Sequence, residues 1–157
     1  MTDFRQYGIL PEKGRDYENI AYVLALVYNT CEKKIAKLLS EFDLSTAQFN
    51  LLLVSRFQGG EEGISQVEIS NRLIVTPGGI TRIIDKLVKE KLLLVKQNKN
   101  NRRENIVKIS PKGSELIDKV WPKYDGLIRE ITSLIPSAKQ KHFASILADW
   151  FVKLQEK

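Results

Sequence analysis

The sequence predicts a mainly α-helical fold of the α+β class, with one small β-hairpin. Apolar residues recur every three or four positions in long segments near both ends of the chain, as they do on one side of an amphipathic helix. Between these segments, residues 65–87 predict two short helices joined by a tight turn. The apolar runs 92–95 and 106–109 then flank a polar tip, a pattern that predicts a β-hairpin.

The composition limits what kind of protein this chain is. Its length suits a single domain over residues 1–157, and 25 basic against 19 acidic residues give a net charge of +6, which favours a polyanionic partner. The single cysteine, Cys31, excludes an internal disulfide framework and a CxxC metal site. The longest apolar run, residues 20–28, is too short to cross a membrane. We therefore expect a cytoplasmic protein with no membrane contact.

Long helices are predicted before the central region. Residues 1–15 contain two glycines and a proline and show little periodicity, so they predict a loosely ordered arm. A helix of about seven turns should follow over residues 16–43. Ser45 with Gln48 forms a capping box, which predicts a second helix that ends at the glycine pair 59–60.

The segment after the hairpin, residues 111–157, predicts two further helices. A Ser-Pro pair at 110–111 starts the first of them, and Pro122 should kink it. A Pro-Ser pair at 136–137 with Gln140 marks the start of the second. Both carry wide apolar faces, as the first helix of the chain does, and one subunit has no third layer to cover them. We therefore expect a two-fold homodimer.

The second of the two short helices has two different sides. Ser65 with Glu68 should cap the first short helix, and Thr76 followed by Pro77 should cap the second. At about 100° per residue, the apolar and polar residues of the second helix fall in separate sectors. The apolar sector holds Ile80, Ile83, Ile84 and Leu87, and the opposite side holds Gly78, Arg82, Asp85 and Lys89, flanked by Thr81 and Lys86. One side is expected to pack and the other to face a partner.

The basic excess lies in the hairpin region. Residues 91–112 contain seven basic residues and one acidic residue, Glu104. This local excess of six equals the net charge of the whole chain, so the charge is concentrated beside the two short helices. A basic hairpin on its own is also common as a solvated sheet edge. Next to a helix pair, it favours contact with nucleic acid.

Three stretches of this sequence together resemble the MarR family of bacterial transcriptional regulators. They are LSTAQFNLLL from Leu44, ISQVEISNRLIVTPGGITRIIDKL from Ile64, and NNRRENIVKISPKG up to Gly113. The long helices on either side match the layout of the family without a sharp motif.

The resemblance implies an architecture and a function. Residues 45–110 would form a winged helix-turn-helix lobe that binds DNA, flanked by dimerisation helices over 16–43 and 111–157. The protein would be a homodimer that reads a pseudo-palindromic site in double-stranded DNA as a sequence-specific repressor. Many members release DNA when a small aromatic or phenolic effector, or an oxidant, reaches the cleft between their dimerisation and DNA-binding parts.

Two positions depart from the family's usual pattern. Lys91 stands where the family usually has a glycine after its recognition helix, which is expected to alter the helix exit. Asn101 stands where an aspartate commonly precedes the wing-tip arginines. This change removes an acid that would hold an arginine in place.

The chemistry of the candidate residues predicts their roles at DNA. A helix fits the major groove, where Arg82 has the reach and the fork to bind guanine, with Thr81 also contributing discrimination. Arg103, at the family's wing-arginine position, would enter a narrow minor groove. The whole candidate set is Ser65, Gln66, Thr76, Gly78, Gly79, Thr81, Arg82, Lys86, Lys99, Asn101, Arg102 and Arg103.

Most of the other candidates in this set are expected to contact the DNA backbone, namely Ser65, Gln66, Gly78, Gly79, Lys86, Lys99 and Arg102. Gly78 and Gly79 would let the helix start approach the DNA closely, although they would equally make a loose helix start. Lysines such as Lys86 suit phosphates better than bases, and Asp85 is better suited to tether an arginine.

Several residues invite a functional interpretation that the pattern does not favour. Cys31 lies on the apolar stripe of the first long helix, where a buried inert thiol is the expected state rather than a peroxide sensor. His142 is expected on a helix surface. Tyr22 and Tyr28 are candidates to border a ligand cleft. The aromatic residues expected to pack helices or the dimer, rather than to stack a ligand, are Trp121, Tyr124, Trp150 and Phe151.

No catalytic residue, metal ligand or cofactor is predicted. The chain lacks the HExxH, GxGxxG and GxxxxGK[ST] motifs, so an enzyme is not expected. The alternative to a DNA-binding regulator is a winged-helix module that binds protein without sequence-specific DNA binding, in which the basic hairpin would be a solvated surface.

Overall fold

A computed structural model describes residue 7 and residues 16–73, 77–98, 101 and 104–156. The chain divides into two compact units, Met1–Asp118 and Lys119–Lys157, which are described separately below. The predicted arm over residues 1–15, apart from Tyr7, lies outside the described residues.

The mainly α-helical prediction with a small β element is confirmed. The described residues form six α-helices and a three-stranded antiparallel sheet. In chain order the elements are α1 Asp16–Ser40, α2 Thr46–Phe57, β1 Ile64–Ser65, α3 Gln66–Ser70, α4 Pro77–Lys89, β2 Leu93–Gln97, β3 Asn105–Ile109, α5 Pro111–Ser133 and α6 Ser137–Gln155.

The predicted capping box at the start of α2 is confirmed. The backbone amide of Gln48 donates to Ser45 Oγ over 3.2 Å, and the amide of Ser45 donates to Gln48 Oε1 over 2.8 Å. The two bonds satisfy amides that the first turn of a helix leaves without partners. At its other end α2 stops at Phe57, slightly before the predicted glycine pair.

Helices α1 and α4 leave their last turn through the same backbone motif. After α1, Asp43 adopts φ 56°, and the amide of Leu44 donates to the carbonyl of Leu39 over 3.1 Å. After α4, Lys91 adopts φ 62°, and the amide of Leu92 donates to the carbonyl of Leu87 over 2.8 Å. In each case the amide of the left-handed residue also bonds three residues back, which completes a Schellman motif.

Both of these exits bury a pair of leucines. Leu39 and Leu44 are buried at the end of α1, and Leu87 and Leu92 are buried at the end of α4. A hydrophobic contact between these two positions commonly accompanies the motif. The residue in the left-handed position is Asp43 or Lys91 rather than glycine, so each exit carries a backbone cost that the buried pair offsets. Lysine at position 91 therefore lowers the stability of the helix exit but does not change the path of the backbone.

The hairpin pairs with a third strand that the sequence did not predict. Strands β2 and β3 form the predicted hairpin, with Val95 opposite Val107, and the two-residue strand β1 pairs with the other edge of β3. Gly63 allows this approach because it has φ 88° and because a Cβ atom there would lie 2.7 Å from Ile106 Cγ2. The preceding loop therefore closes against β3.

Side chains from α2, α3, α4 and the sheet form the core of the first unit. Its fully buried members include Phe49, Leu52, Ile69, Ile80 and Val107. Two apolar residues of this unit lie outside the core, Val67 on α3 and Phe57 at the end of α2, which are 61% and 62% exposed.

The start of α5 is attached to the exit of α4. Ser110 Oγ accepts a hydrogen bond from the amide of Gly113 over 2.9 Å and donates one to the carbonyl of Lys91 over 2.7 Å. Gly113 has no room for a side chain, because a Cβ atom there would overlap the carbonyl oxygen of Leu92 and lie 2.9 Å from Ile109 Cγ1. The first turn of α5 is thus packed directly on the base of the hairpin.

An ion pair also joins α2 to the first turns of α5. Arg56 Nη1 lies 2.7 Å from Asp118 Oδ1 and donates to the carbonyl of Ser114 over 3.1 Å. This contact links residues about 60 positions apart, and no local pattern predicts it.

In the second unit, α6 begins at Ser137, where the Pro-Ser pair predicts the start of a helix. The N-cap residue is Pro136, which has no side-chain hydrogen bond to offer. Gln140 Nε2 donates to the carbonyls of Thr132 and Ile135, over 3.2 and 3.0 Å. This glutamine therefore satisfies carbonyls at the end of α5 and just after it.

The aromatic residues of the second unit are partly covered. Helix α5 continues through Pro122, and the ring centroids of Trp121 and Tyr124 lie 5.8 Å apart. Burial raises the pKa of the Tyr124 phenol above its ordinary value. Among the described residues, no helix is long and apolar enough to cross a membrane.

We predict that Lys91→Gly stabilises the protein. Glycine adopts a positive φ without the penalty that a side chain incurs, so the free energy of unfolding should rise by about 0.5–1 kcal/mol. Urea denaturation at one protein concentration measures the change. Lys119→Gly, at an exposed position within α5, is the matched control and should lose about 1 kcal/mol. A loss of stability in Lys91→Gly would contradict the prediction.

We also predict that Gly113→Ala destabilises the protein by about 2 kcal/mol or more, because the added methyl group collides with a backbone oxygen that cannot move alone. Gly126→Ala, where a Cβ atom meets nothing within 4 Å, should instead stabilise α5. Thermal unfolding of both variants compares them. If Gly113→Ala and Gly126→Ala had equal melting temperatures, the structure around Gly113 would accommodate a methyl group and the prediction would be wrong.

Candidate nucleic-acid interface

Helix α4 has the divided surface that the sequence predicts. Ile80, Ile84 and Leu87 are buried, and Ile83 is half-buried. The exposed polar residues are Thr81, Arg82, Asp85, Lys86 and Lys89, and Val88 near the end of the helix is also exposed. Because the buried residues fix the rotation of the helix, its polar side is directed outward.

The start of α4 agrees with the prediction as far as it is described. Pro77 is the first residue of the helix, and Gly78 and Gly79 follow in its first turn. Proline suits this position because its missing amide has no partner there in any case. Thr76, the predicted cap, lies outside the described residues.

The predicted capping box of α3 is confirmed. The amide of Glu68 donates to Ser65 Oγ over 3.1 Å, and the amide of Ser65 donates to Glu68 Oε2 over 3.3 Å. Only 6% of Ser65 is exposed, and its backbone pairs with Ile106 in the sheet. Ser65 therefore anchors the helix pair to the sheet.

A side-chain hydrogen bond joins α3 to α4 on the outer surface. Gln66 Nε2 donates to Thr81 Oγ1 over 2.8 Å, across 15 positions in sequence. Both residues are candidates for DNA contact, and the structure brings them together. No local sequence pattern predicts this contact, because the distance between the two side chains depends on how the helices pack.

The basic side chains of α4 are accessible. Arg82 is exposed, and Lys86 Nζ lies 3.8 Å from Glu90 Oε1 one helical turn along. An exposed pair of this kind is worth little, so Lys86 is free to exchange it for a phosphate. That Asp85 holds a nearby arginine stays a prediction.

Hydrogen bonds within the hairpin shape the base of its tip. The amide of Asn98 donates to the carbonyl of Glu104 over 2.8 Å, and Asn98 Nδ2 donates to Glu104 Oε2 over 2.7 Å. The amide of Glu104 in turn donates to the carbonyl of Asn101 over 2.9 Å. The single acid of residues 91–112 is therefore held by an amide group at the base of the tip.

Three of the hairpin candidates, Lys99, Arg102 and Arg103, lie outside the described residues. On strands β2 and β3, Leu94 and Lys108 are directly opposite each other, as are Lys96 and Ile106. Residues two positions apart on one strand point to the same face of a sheet, and so do residues directly opposite each other on two strands. Lys96 and Lys108 therefore lie on the same side of the sheet.

The candidates outside the DNA-binding region are placed as follows. Cys31 is half-buried, which corrects the prediction of a buried thiol, because the apolar stripe of α1 is only partly covered within one chain. Tyr22 and Tyr28 are exposed on α1. His142 is exposed on α6, as predicted. No group of three or more His, Cys, Asp or Glu side chains in the described part of the chain could hold a metal ion.

Comparisons with known proteins agree with this geometry. Residues 60–105 match a family model described as MarR family. The chain is 26% identical to the HTH-type transcriptional regulator MhqR of Bacillus subtilis over 113 residues, which are 72% of this chain and 76% of that protein. Further Bacillus relatives named as HTH-type transcriptional regulators are 31% identical over 54% of their length, so this chain spans about half of them.

Solved structures share the fold. A mutant MarR from E. coli complexed with operator DNA has a TM-score of 0.77 and 22% identity, covering 88% of this chain and 97% of that one. Bordetella bronchiseptica BpsR, whose structure concerns regulation of its DNA binding by 6-hydroxynicotinic acid, has a TM-score of 0.75 and 19% identity. That comparison covers 84% of this chain and 98% of BpsR.

Proposed function

We propose that this chain, whose residues 60–105 match the MarR family model and whose fold matches that of MarR structures, is a ligand-responsive repressor that binds a pseudo-palindromic site in double-stranded DNA as a homodimer. The observation that carries the proposal is the divided surface of α4. Its apolar side is buried, and its outer side presents Thr81, Arg82 and Lys86 together. An exposed helix with these groups suits the major groove, where each base pair has its own pattern of donors and acceptors.

In this proposal the helix supplies discrimination and the hairpin supplies much of the affinity. Arg82 binds guanine through two hydrogen bonds, and Lys86 binds a phosphate. Lys96 and Lys108 add positive charge on one side of the hairpin. The other candidate contacts retained in the proposal are Thr76, Gly78, Gly79, Lys99, Asn101 and Arg102, with Arg103 in the minor groove.

The two halves of the site require two copies of the chain. Helix α6 has 19 residues and none of them is buried, although it carries Phe143, Ile146 and Phe151. Helix α1 likewise exposes apolar residues, among them Ile20 and Val27. A second copy that covers such faces accounts for them and gives the two-fold symmetry of a pseudo-palindrome.

The proposed effector is a small aromatic or phenolic compound. This part of the proposal is supported by BpsR, whose DNA binding is regulated by 6-hydroxynicotinic acid. Tyr22 and Tyr28, both exposed on α1, are the candidates to line its site. A regulator of this kind acts where the chromosome lies, so the proposal includes a cytoplasmic location.

We predict that Arg82→Ala weakens binding to the chain's own operator by about 1–3 kcal/mol and relaxes preference at one base pair of each half-site. An operator selected by the wild-type protein from genomic DNA, titrated against each protein, gives the affinities. Arg129→Ala is the matched control, because Arg129 pairs with Asp125 on α5 and should leave binding unchanged.

A protein-binding module would behave differently. Scrambled DNA would compete as well as the operator, and Arg82→Ala would bind like the wild type. Lys86→Ala separates charge from discrimination, because it should weaken binding to all sequences equally and lower the salt dependence by about one counter-ion.

We predict that the protein sediments as a dimer at micromolar concentration and that Phe143→Glu shifts it toward the monomer, because a charge would be buried in the interface. Lys141→Glu, on the opposite side of α6, is the control and should leave the dimer intact. A monomeric wild type would contradict the two-fold arrangement.

A further inference from the structure

We propose that Gln66 is a positioning residue that occupies an acceptor site of the Thr81 hydroxyl and keeps the hydroxyl hydrogen available, so that Thr81 donates to a base edge. The inference rests on the proposed function, in which α4 reads DNA. It differs from the prediction that Gln66 itself meets a phosphate, because it assigns to Gln66 a role that operates through another side chain.

The geometry of the contact sets the polarity. Gln66 Nε2 donates to Thr81 Oγ1 over 2.8 Å, so the threonine oxygen is the acceptor. A threonine hydroxyl has one hydrogen and two acceptor sites. Gln66 uses one acceptor site, which leaves the hydroxyl hydrogen available to donate to a group outside the protein, together with one remaining acceptor site.

Gln66 is held firmly enough to act in this way. It is the first residue of α3, directly after Ser65, whose capping box joins it to Glu68. Ser65 also pairs with Ile106 in the sheet. The amide of Gln66 is therefore carried by a backbone that is fixed to both α3 and β3.

Thr81 is held from the other side. Its neighbour Ile80 is buried, and so is Ile84 one turn along, which directs the Cα–Cβ bond of Thr81 outward. In a helix, a threonine hydroxyl often turns back to a carbonyl of the preceding turn. The bond from Gln66 ends on an acceptor site of the Thr81 oxygen, so it holds the hydroxyl and the methyl group in one arrangement at the surface without using the hydroxyl hydrogen.

The consequence for recognition follows from the base edges. In the major groove, guanine offers N7 and O6 as acceptors, adenine offers N7 and thymine offers O4, whereas the amino groups of cytosine and adenine are donors. A Thr81 that donates outward favours an acceptor and disfavours a cytosine amino group. We therefore expect Thr81 to face a base that presents an acceptor. Gln66 should maintain this preference without contacting the base itself.

The test compares base preferences and not affinity alone. Binding of the wild type is measured to its selected operator and to every single base-pair substitution in one half-site. Gln66→Met, which is close to glutamine in size and cannot donate, and Thr81→Val, which loses only the hydroxyl, should reduce discrimination at the same base pair by about three- to tenfold. The double variant should lose no more than either single variant, because both remove the same interaction.

Two further variants make the outcome specific. Gln66→Glu can only accept, so Thr81 would donate inward, and preference at that base pair should move toward one with an amino group facing the protein. Its negative charge lowers affinity for all sequences, which leaves the ratio between base pairs unaffected. Gln58→Met, at an exposed position after α2, is the matched control and should keep the wild-type preferences.

Each outcome has a definite meaning. If Gln66→Met keeps the wild-type preferences, or if its losses spread evenly over all base pairs, Gln66 does not position Thr81 and the inference is overturned while the proposed function stands. Additive losses in the double variant overturn it in the same way. A wild type without any sequence preference overturns the proposed function, and the inference with it.

Discussion

Burial of Ile80, Ile84 and Leu87 determines which side of α4 is presented to a partner. Each such side chain is worth roughly 1.5–3 kcal/mol when removed from water, so the three together are worth roughly 5–9 kcal/mol. A good contact to one base pair supplies about 1–3 kcal/mol. No single DNA contact can therefore turn this helix about its axis. The polar side is preorganised by the core, and binding does not have to select it.

The exits of α1 and α4 show how the chain enters and leaves this core. In both places a left-handed residue lets the backbone reverse, and a buried leucine on each side of the turn holds it closed. After the reversal at Lys91 the chain enters β2. After the hairpin, Ser110 Oγ donates to the carbonyl of Lys91, so the end of β3 lies beside the start of β2. The hairpin thus begins and ends at one place, and its base is defined by hydrogen bonds on both strands.

Much of the fold and part of the candidate site could be predicted, because the signals are local. The capping boxes at Ser45 and Ser65 and the apolar sector of α4 depend on residues three or four positions apart. The pairing of β1, the Arg56–Asp118 contact and the Gln66–Thr81 bond join distant residues, so they follow only from packing. The partners of Gln140 likewise follow from packing, since its side-chain amide donates to carbonyls at the end of α5 and not to groups of its own helix.

The close packing at Gly113 has a consequence for how genetic data on this protein should be interpreted. Every single-nucleotide change in a glycine codon that alters the amino acid adds at least a Cβ atom, and the carbonyl of Leu92 leaves no room for one. Loss-of-function alleles should therefore accumulate at a position that lies outside the proposed reading surface. An inactive allele at Gly113 reflects disrupted packing between the hairpin and α5 and not a lost DNA contact. A genetic screen that maps DNA contacts should therefore first measure the abundance of each variant protein and set aside those whose abundance is low.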